Sequence, residues 1–180
     1  MTSYNAAGLL REAPGAFRDH RLHDHYVTLG PEVELAGPIG LDLRLQRTNR
    51  GVLVRGRVSA PLRRTCARCL DPYVDEVSVE IAEEYLPSAD PESGAPLEAP
   101  DEGEGEGVLV INAHHEIELD PVLHDELLLT EPMHPLCRPD CPGLCATCGQ
   151  SLRGGTHEHG DEEIDPRLAE LGRLLDDLDR

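Results

Sequence analysis

Six cysteines in close pairs, followed by a histidine pair, constrain this chain more than any other feature. Cys66 and Cys69 form one C-x-x-C, and Cys137, Cys141, Cys145 and Cys148 crowd into CRPDCPGLCATCG. His157 and His159 stand nine and eleven residues past Cys148. These are eight potential ligands. Tetrahedral zinc takes four thiolate sulfurs or imidazole nitrogens, so the set matches two closed sites. Cysteines that only packed a core would have no reason to recur at such gaps with Pro and Gly between them. The stretch PGLCATCG reads as a zinc knuckle, a tight turn aiming two sulfurs at one point, with Gly149 taking the positive φ on which the chain leaves.

The short, Gly-rich connection suggests that Cys145, Cys148, His157 and His159 close one local site. Cys66 and Cys69 then share a second zinc with Cys137 and Cys141, joining two distant parts of the chain. The alternative places both C-x-x-C knuckles around one ion. Disulfides would need an oxidising compartment. The N-terminal MTSYNAAGLLREAPGAF lacks the basic flank and apolar core of a secretory signal, and no run reaches membrane-spanning length, so a cytoplasmic protein is expected. A redox dithiol at Cys66 and Cys69 would belong at a helix start, where the dipole lowers a thiol pKa. Here the pair lies between strand-like segments and is followed by Asp71-Pro72, which is turn chemistry.

From residue 41 the hydrophobic period is two. Leu41, Leu43 and Leu45 alternate with polar residues, Thr48-Asn49-Arg50-Gly51 supplies a turn, and Val52, Val54 and Val58 alternate with Arg55 and Arg57. After the Cys66/Cys69 turn, Val77, Val79 and Ile81 oppose Glu76, Ser78 and Glu80. The expectation is an α+β fold: an antiparallel meander with one apolar and one charged face, one or two helices, and a Cys-rich zinc-binding segment. Val108–Ile111 and the Ile117/Leu119 alternation suggest further strand. Asp120-Pro121 reads as an N-cap and first helical residue for VLHDELLLT, which must end before Pro132. Aromatic residues are scarce, so Leu, Val and Ile build the core, and bound metal would supplement it.

One domain is expected, in four stretches. Residues 1–86 form a β-rich part with the first Cys pair, 87–107 a disordered acidic loop, 108–160 strand, helix and Cys/His segment, and 161–180 an amphipathic helix. The loop PSADPESGAPLEAPDEGEGEG has too little apolar surface to offset its ordering entropy. In the last stretch Ile164, Leu168, Leu171, Leu175 and Leu178 make an apolar stripe that suits docking on its own domain or on another molecule. His20, His23 and His25, and the His114-His115 pair, read as scattered surface histidines, since thiolates compete better for zinc.

The formal charge of −19 disfavours general adhesion to nucleic acid or anionic membrane. It is unevenly spread. Eight of the 16 basic residues, all arginine, lie between Arg44 and Arg68 with no acidic residue among them. Arg55 and Arg57 either pair across strands with Glu76 and Glu80 or face a ligand. Arg63, Arg64 and Arg68 flank the metal pair with fewer evident partners. These five are the candidates for a ligand-facing surface.

With these residues in hand, the chain resembles the YceD family of bacterial and plastid proteins. The resemblance is carried by SAPLRRTCARCLDPY (Ser59–Tyr73), by LDPVLHDELLLTEPMHPLCRPDCPGLCATCGQSL (Leu119–Leu152) and by IDPRLAELGRLL (Ile164–Leu175). It implies a role in biogenesis of the large ribosomal subunit, in accumulation or processing of its RNA, with bound metal and no enzymatic activity. Many relatives close the cysteine cluster with a further C-x-C, where this chain has His157-Glu158-His159; the residue type departs but two zinc-competent ligands remain.

Nothing in the residues demands catalysis. An open catalytic zinc wants three protein ligands, a water and a nearby base, whereas thiolate-rich closed coordination is structural. There is no phosphate-cradling loop either, because the glycines of EGEGEG alternate with glutamates. The expected function is a zinc-binding, non-enzymatic assembly factor contacting large-subunit ribosomal RNA or a ribosomal protein, with no membrane and no small-molecule substrate. Two alternatives stand beside it: an acidic adaptor that holds a basic ribosomal protein, and a thiol-redox or metal-handling protein.

Overall fold

The computed structural model describes residues 2–97, 108–155 and 157–159. The C-terminal stripe from Ile164 to Leu178 lies outside the described residues, as does 98–107 of the acidic segment. The elements run β1 (Ser3–Asn5), α1 (Ala7–Leu10), β2 (Phe17–His25), β3 (Ile39–Arg47), β4 (Val52–Thr65), β5 (Pro72–Pro87), β6 (Leu109–Ile111), β7 (Glu116–Glu118) and α2 (Asp120–Leu128), with a 3-10 turn at Leu152–Gly154. The fold is α+β and its main sheet is mostly antiparallel. Strand order is β2-β3-β4-β5-β6, with only β6 parallel to its neighbour, and β1 pairs with β7 in a separate ribbon. No described helix is long and apolar enough to cross a membrane.

The expected meander is β3-β4-β5. Its register sets Leu41 opposite Val58 and Leu45 opposite Val54, and places Val52 beside Tyr85. These side chains are fully or almost fully buried. They share one core with Leu9 and Leu10 of α1, Ile117 of β7, and Leu123 and Leu127 of α2. Each such side chain taken from water stabilises the fold by about 1.5–3 kcal/mol. The turn between β3 and β4 is held by the Thr48 hydroxyl, which accepts from the backbone N–H groups of Arg50 and Gly51. Gly51 is required there, since a Cβ would stand 2.0 Å from the Tyr85 carbonyl oxygen.

Strand β2 did not announce itself in the sequence. FRDHRLHDH places polar side chains on both faces, which suits the edge of a sheet. Two of its three histidines are structural: His20 packs edge-on against Tyr4, and His25 Nε2 lies 2.9 Å from the Thr2 hydroxyl, while His23 is exposed. Helix α2 begins at Asp120, with Leu119 as its cap residue and no side-chain capping bond. The Asp120 carboxylate instead accepts from the Thr2 backbone N–H at 2.7 Å, tying the start of the chain to the helix. The acidic segment opens in regular structure: β5 runs to Pro87, Ala89 is buried and bridges Pro96, and Asp90 caps a turn through the N–H groups of Glu92 and Ser93.

What positions the functional region is the length of two strands. β4 and β5 have 14 and 16 residues and pair to their ends, whereas β3 stops pairing with β4 at Gly40 and Ser59. Beyond Ser59 the hairpin therefore continues as a two-stranded arm, supported on one side by the Leu35–Leu62 bridge. A two-stranded ribbon is marginal alone. At the tip of this arm sit Cys66 and Cys69.

Candidate metal centres

The two C-x-x-C turns are built alike. In the first, Leu70 N–H donates to the Cys66 carbonyl at 2.9 Å and Cys66 N–H to the Asp71 carbonyl at 3.0 Å. In the second, Gly149 N–H donates to the Cys145 carbonyl at 2.9 Å and Cys145 N–H to the Gln150 carbonyl at 2.8 Å. Both leave through the left-handed region, Gly149 at φ 72° and Leu70 at φ 58°. The Gly149 conformation is the one its position in the knuckle demands. Leu70 performs the same turn without the glycine, at the strain a side chain incurs there, so composition alone conceals it. Cys66-Ala67-Arg68-Cys69 and Cys145-Ala146-Thr147-Cys148 are thus one motif used twice.

The chain brings these turns to two separate ligand sets. Cys66, Cys69, Cys137 and Cys141 form one group, Cys145, Cys148, His157 and His159 the other, with donor atoms inside each group all within 4.8 Å of one another. Among the described residues no further group of this kind occurs. The two knuckles therefore do not share one set. In the four-cysteine group Cys66 Sγ lies 3.8 Å from Cys141 Sγ, and Cys69 Sγ 3.9 Å from Cys137 Sγ. All six cysteines are free, and such separations are far beyond a sulfur–sulfur bond. They match the edge, about 3.8 Å, of a tetrahedron whose centre is a typical zinc–sulfur bond from each corner. The donor set fits zinc in chemistry and in size.

The second group is tighter. Cys145 Sγ is 3.0 Å from His159 Nε2, and Cys148 Sγ is 3.0 Å from His157 Nε2. A tetrahedral zinc would hold sulfur and nitrogen about 3.5 Å apart, so each pair has about half an ångström to open around an ion. The two groups also differ in exposure. Cys66, Cys69 and Cys141 are buried together against Tyr73 and Leu136, whereas Cys148 and His159 are exposed.

Backbone amides prepare the thiolates. Cys66 is lowered to about 6, first by the N–H of Cys137 and then by that of Cys69. Cys145 is lowered to about 6 by the N–H groups of Cys148 and Thr147 and by the His159 ring. Cys69 shows the opposite. The Asp71 N–H favours its thiolate, but burial and the sulfurs of Cys66, Cys141 and Cys137 outweigh this and push it up to about 12. One thiolate forms readily in the buried group and opposes the next, an opposition that a divalent ion removes.

The Cys-rich segment is fastened to the arm through the backbone. Ala67 N–H donates to the Pro135 carbonyl, and Arg68 donates to the carbonyls of Pro139 and Cys141 at 3.3 and 3.0 Å. Gly143, at φ 77°, passes so close to the arm that a Cβ would stand 3.1 Å from the Arg68 carbonyl oxygen.

Three of the five candidate RNA contacts have other tasks. Arg68 is the clamp just described. Arg63 pairs with Glu34 at 2.8 Å. Arg64 is buried: its Nε lies 3.1 Å from Asp75 Oδ2, and its Nη2 donates to the Thr130 hydroxyl at 2.7 Å. Proximity to cysteines in sequence suggested a free charge, yet even positions of β4 face inward, and Arg64 follows Leu62 into the interior. The register separates the other two. Arg57 stands opposite Glu80 and pairs with it at 3.3 Å, while Arg55 stands between Arg44 and Ala82. Ala82 occupies the place of a carboxylate, so Arg55 is exposed and without an ion-pair partner among the described residues. It borders an open depression of about 890 Å³ on the polar face of the sheet, lined by Arg21, Arg44 and Arg57 and also by Asp19, Asp42 and Glu80.

A family model described as large ribosomal RNA subunit accumulation protein YceD matches residues 54–175. An uncharacterized protein of Mycobacterium tuberculosis is 40% identical over 137 residues, covering 76% of this chain and 62% of the relative. An uncharacterized protein of Mycobacterium leprae is 35% identical over 143 residues, covering 79% and 62%. The chain thus spans about 62% of the length of these curated relatives. No solved structure matches it.

Proposed function

We propose, for a chain that belongs to the YceD family, that it is a zinc-binding, non-enzymatic factor in accumulation or processing of large-subunit ribosomal RNA, acting in the cytoplasm. The observation that carries the metal assignment is the pair of closed four-donor sets, one all sulfur and one of two sulfurs and two imidazole nitrogens. Each set supplies all four zinc ligands, which suits a structural ion and leaves no protein-defined place for a reacting water. In the buried set Cys66, Cys69, Cys137 and Cys141 would hold the ion that pins the hairpin arm to the Cys-rich segment. In the exposed set Cys145, Cys148, His157 and His159 would hold the second. A bound ion supplies cross-linking here, and the backbone amides around Cys66 and Cys145 keep the ligands deprotonated.

The contact with RNA is assigned to the polar sheet face around Arg55. The cross-strand pair Arg44–Arg55 sets like charges opposite each other, and Arg44 is already engaged bidentately by Asp19 at 2.7 and 2.9 Å. An RNA phosphate at Arg55 would relieve that repulsion, with Arg57 beside it. Because the protein carries −19 overall, the contact should be weak, oriented and steeply salt-dependent. The test is sedimentation of the tagged protein on a ribosome gradient with sequencing of crosslinked RNA, for the unmodified chain and for R55A/R57A. Large-subunit RNA should crosslink, and the double variant should lose it with zinc content unchanged. Crosslinks to a basic ribosomal protein and none to RNA would replace this reading with the acidic adaptor.

A further inference from the structure

Arg153 lies on the 3-10 turn inside the loop that carries the chain from Cys148 to His157, so it belongs in sequence to the exposed ligand set. In space it serves the other one. Its Nη2 stands 3.3 Å from Cys69 Sγ and 3.4 Å from Cys137 Sγ, and its Nη1 is 2.9 Å from Asp71 Oδ2. The turn that presents it packs on the second knuckle. Ser151 Oγ accepts from the Arg153 N–H, Leu152 N–H donates to the Gly143 carbonyl, and Leu144 bridges Ser151.

We propose that Arg153 is a positioning residue that couples the two metal sites: closing the exposed site holds its guanidinium on Cys69 and Cys137 and thereby slows loss of metal from the buried site. This rests on the reading of both sets as zinc sites. Four thiolates around a divalent ion leave two negative charges in excess, and sulfur is a weak acceptor unless charged. One planar guanidinium can satisfy two of those sulfurs and a carboxylate together, which a lysine ammonium cannot do in the same geometry. A cation fixed between Cys69 and Cys137 offsets part of that excess charge and holds both sulfurs in place, and the loop bearing it is tied at both ends by members of the exposed set, Cys148 and His157. Loss of an outer-shell partner typically lowers metal affinity 10- to 100-fold, and Arg153 is partly exposed (44%), which points to the lower end.

The experiment uses the full chain loaded with zinc and follows release to a chromogenic chelator, together with cobalt-substituted protein, whose sulfur-to-cobalt charge-transfer absorption reports the all-sulfur set. The unmodified protein should carry two zinc ions and release them in a fast and a slow phase. R153A should retain two ions and speed the slow phase about tenfold, with R153K intermediate. H157A/H159A should carry one ion and release it at the R153A rate, and adding R153A to that pair should change nothing more. Fewer than two ions in the unmodified protein would sink the two-site reading itself. Two ions with an unchanged slow phase in both R153A and R153K would overturn the coupling alone. So would a tenfold effect of R153A that persists in the H157A/H159A background, since Arg153 would then act without the second site. Should R153A fail to fold, D71N, which frees the guanidinium without removing it, must speed the slow phase for the proposal to stand.

Discussion

Replacing Arg64 tests whether the buried arginine of the hairpin arm is structural. Its side chain is 5% exposed, at the point where β4 meets the end of α2. Truncation to Ala removes one charge-assisted bond to Thr130, worth about 1.5–3 kcal/mol. It also removes two buried methylenes, about 0.8 kcal/mol each. Two features reduce the sum. Asp75 is 37% exposed, so water can replace its lost partner. The Arg64 Nη1 has no partner among the described residues, and its Nε, though at ion-pair distance from Asp75, makes no hydrogen bond of good geometry, so their desolvation is relieved. Thr130 retains its bond to the Leu127 carbonyl at 2.6 Å. The net loss expected for R64A is about 2 kcal/mol. In a chain of this size that lowers the unfolding midpoint by about 4–8 °C. R64M keeps the stem and removes the buried charge, and should lie within about 1 kcal/mol of the unmodified protein. The assay is thermal unfolding of zinc-loaded protein by circular dichroism, beside RNA crosslinking of the folded variants. An R64A midpoint within a degree of the original, with lost RNA contact, would refute the structural account and return Arg64 to the contact surface.

Zinc retention should depend on pH with a definite sign. The thiolates of Cys66 and Cys145 are the ligand forms and are held down at about 6 against 9 for an ordinary thiol. Their stabilisation is complete above the ordinary value, declines steadily as pH falls below it, and is gone once pH has fallen through about 6. Equilibrium dialysis from pH 9 to 5 should therefore show zinc affinity falling steadily with pH, since Cys69 too must lose its proton to bind, and a loss that instead grew on raising the pH would contradict the sign. Tyr85→Phe removes a hydroxyl that donates to the Glu118 carbonyl at 3.2 Å from a side chain only 2% exposed. The variant should lose about 1 kcal/mol, a drop of about 2–4 °C in the midpoint, and an unchanged midpoint would show that water had already satisfied that carbonyl.

The two C-x-x-C turns, the local grouping of Cys145, Cys148, His157 and His159 and the antiparallel arrangement of β3, β4 and β5 are legible in the sequence, because each rests on short-range geometry. The meeting of Cys66 and Cys69 with Cys137 and Cys141 is instead a long-range contact, for which the sequence left an alternative grouping open. A C-x-x-C turn fixes where two sulfurs point, and alternation fixes which side of a strand is buried. Gly149 is readable for the same reason. Leu70 is not, since only the repeat of one hydrogen-bonding pattern at both knuckles exposes its role. Edge strand β2 escaped because an edge need not be apolar on either face.

The arginines mark the boundary most sharply. Sequence offers Arg55 and Arg57 the same choice between a cross-strand glutamate and a ligand, yet register leaves Arg55 beside Ala82, hands Arg57 to Glu80 and sets Glu76 opposite Pro61. Side-chain parity along β4 buries Arg64 and exposes Arg63. Arg153 lies 84 residues from Cys69 in sequence but 3.3 Å away in space, a neighbour that no spacing rule contains. Candidate ligands are written residue by residue, because coordination chemistry depends on the donor atom. Which charge is free, which is buried and which reaches a thiolate depends on how strands align and how a loop folds back, and those alignments are decided by packing across the whole domain.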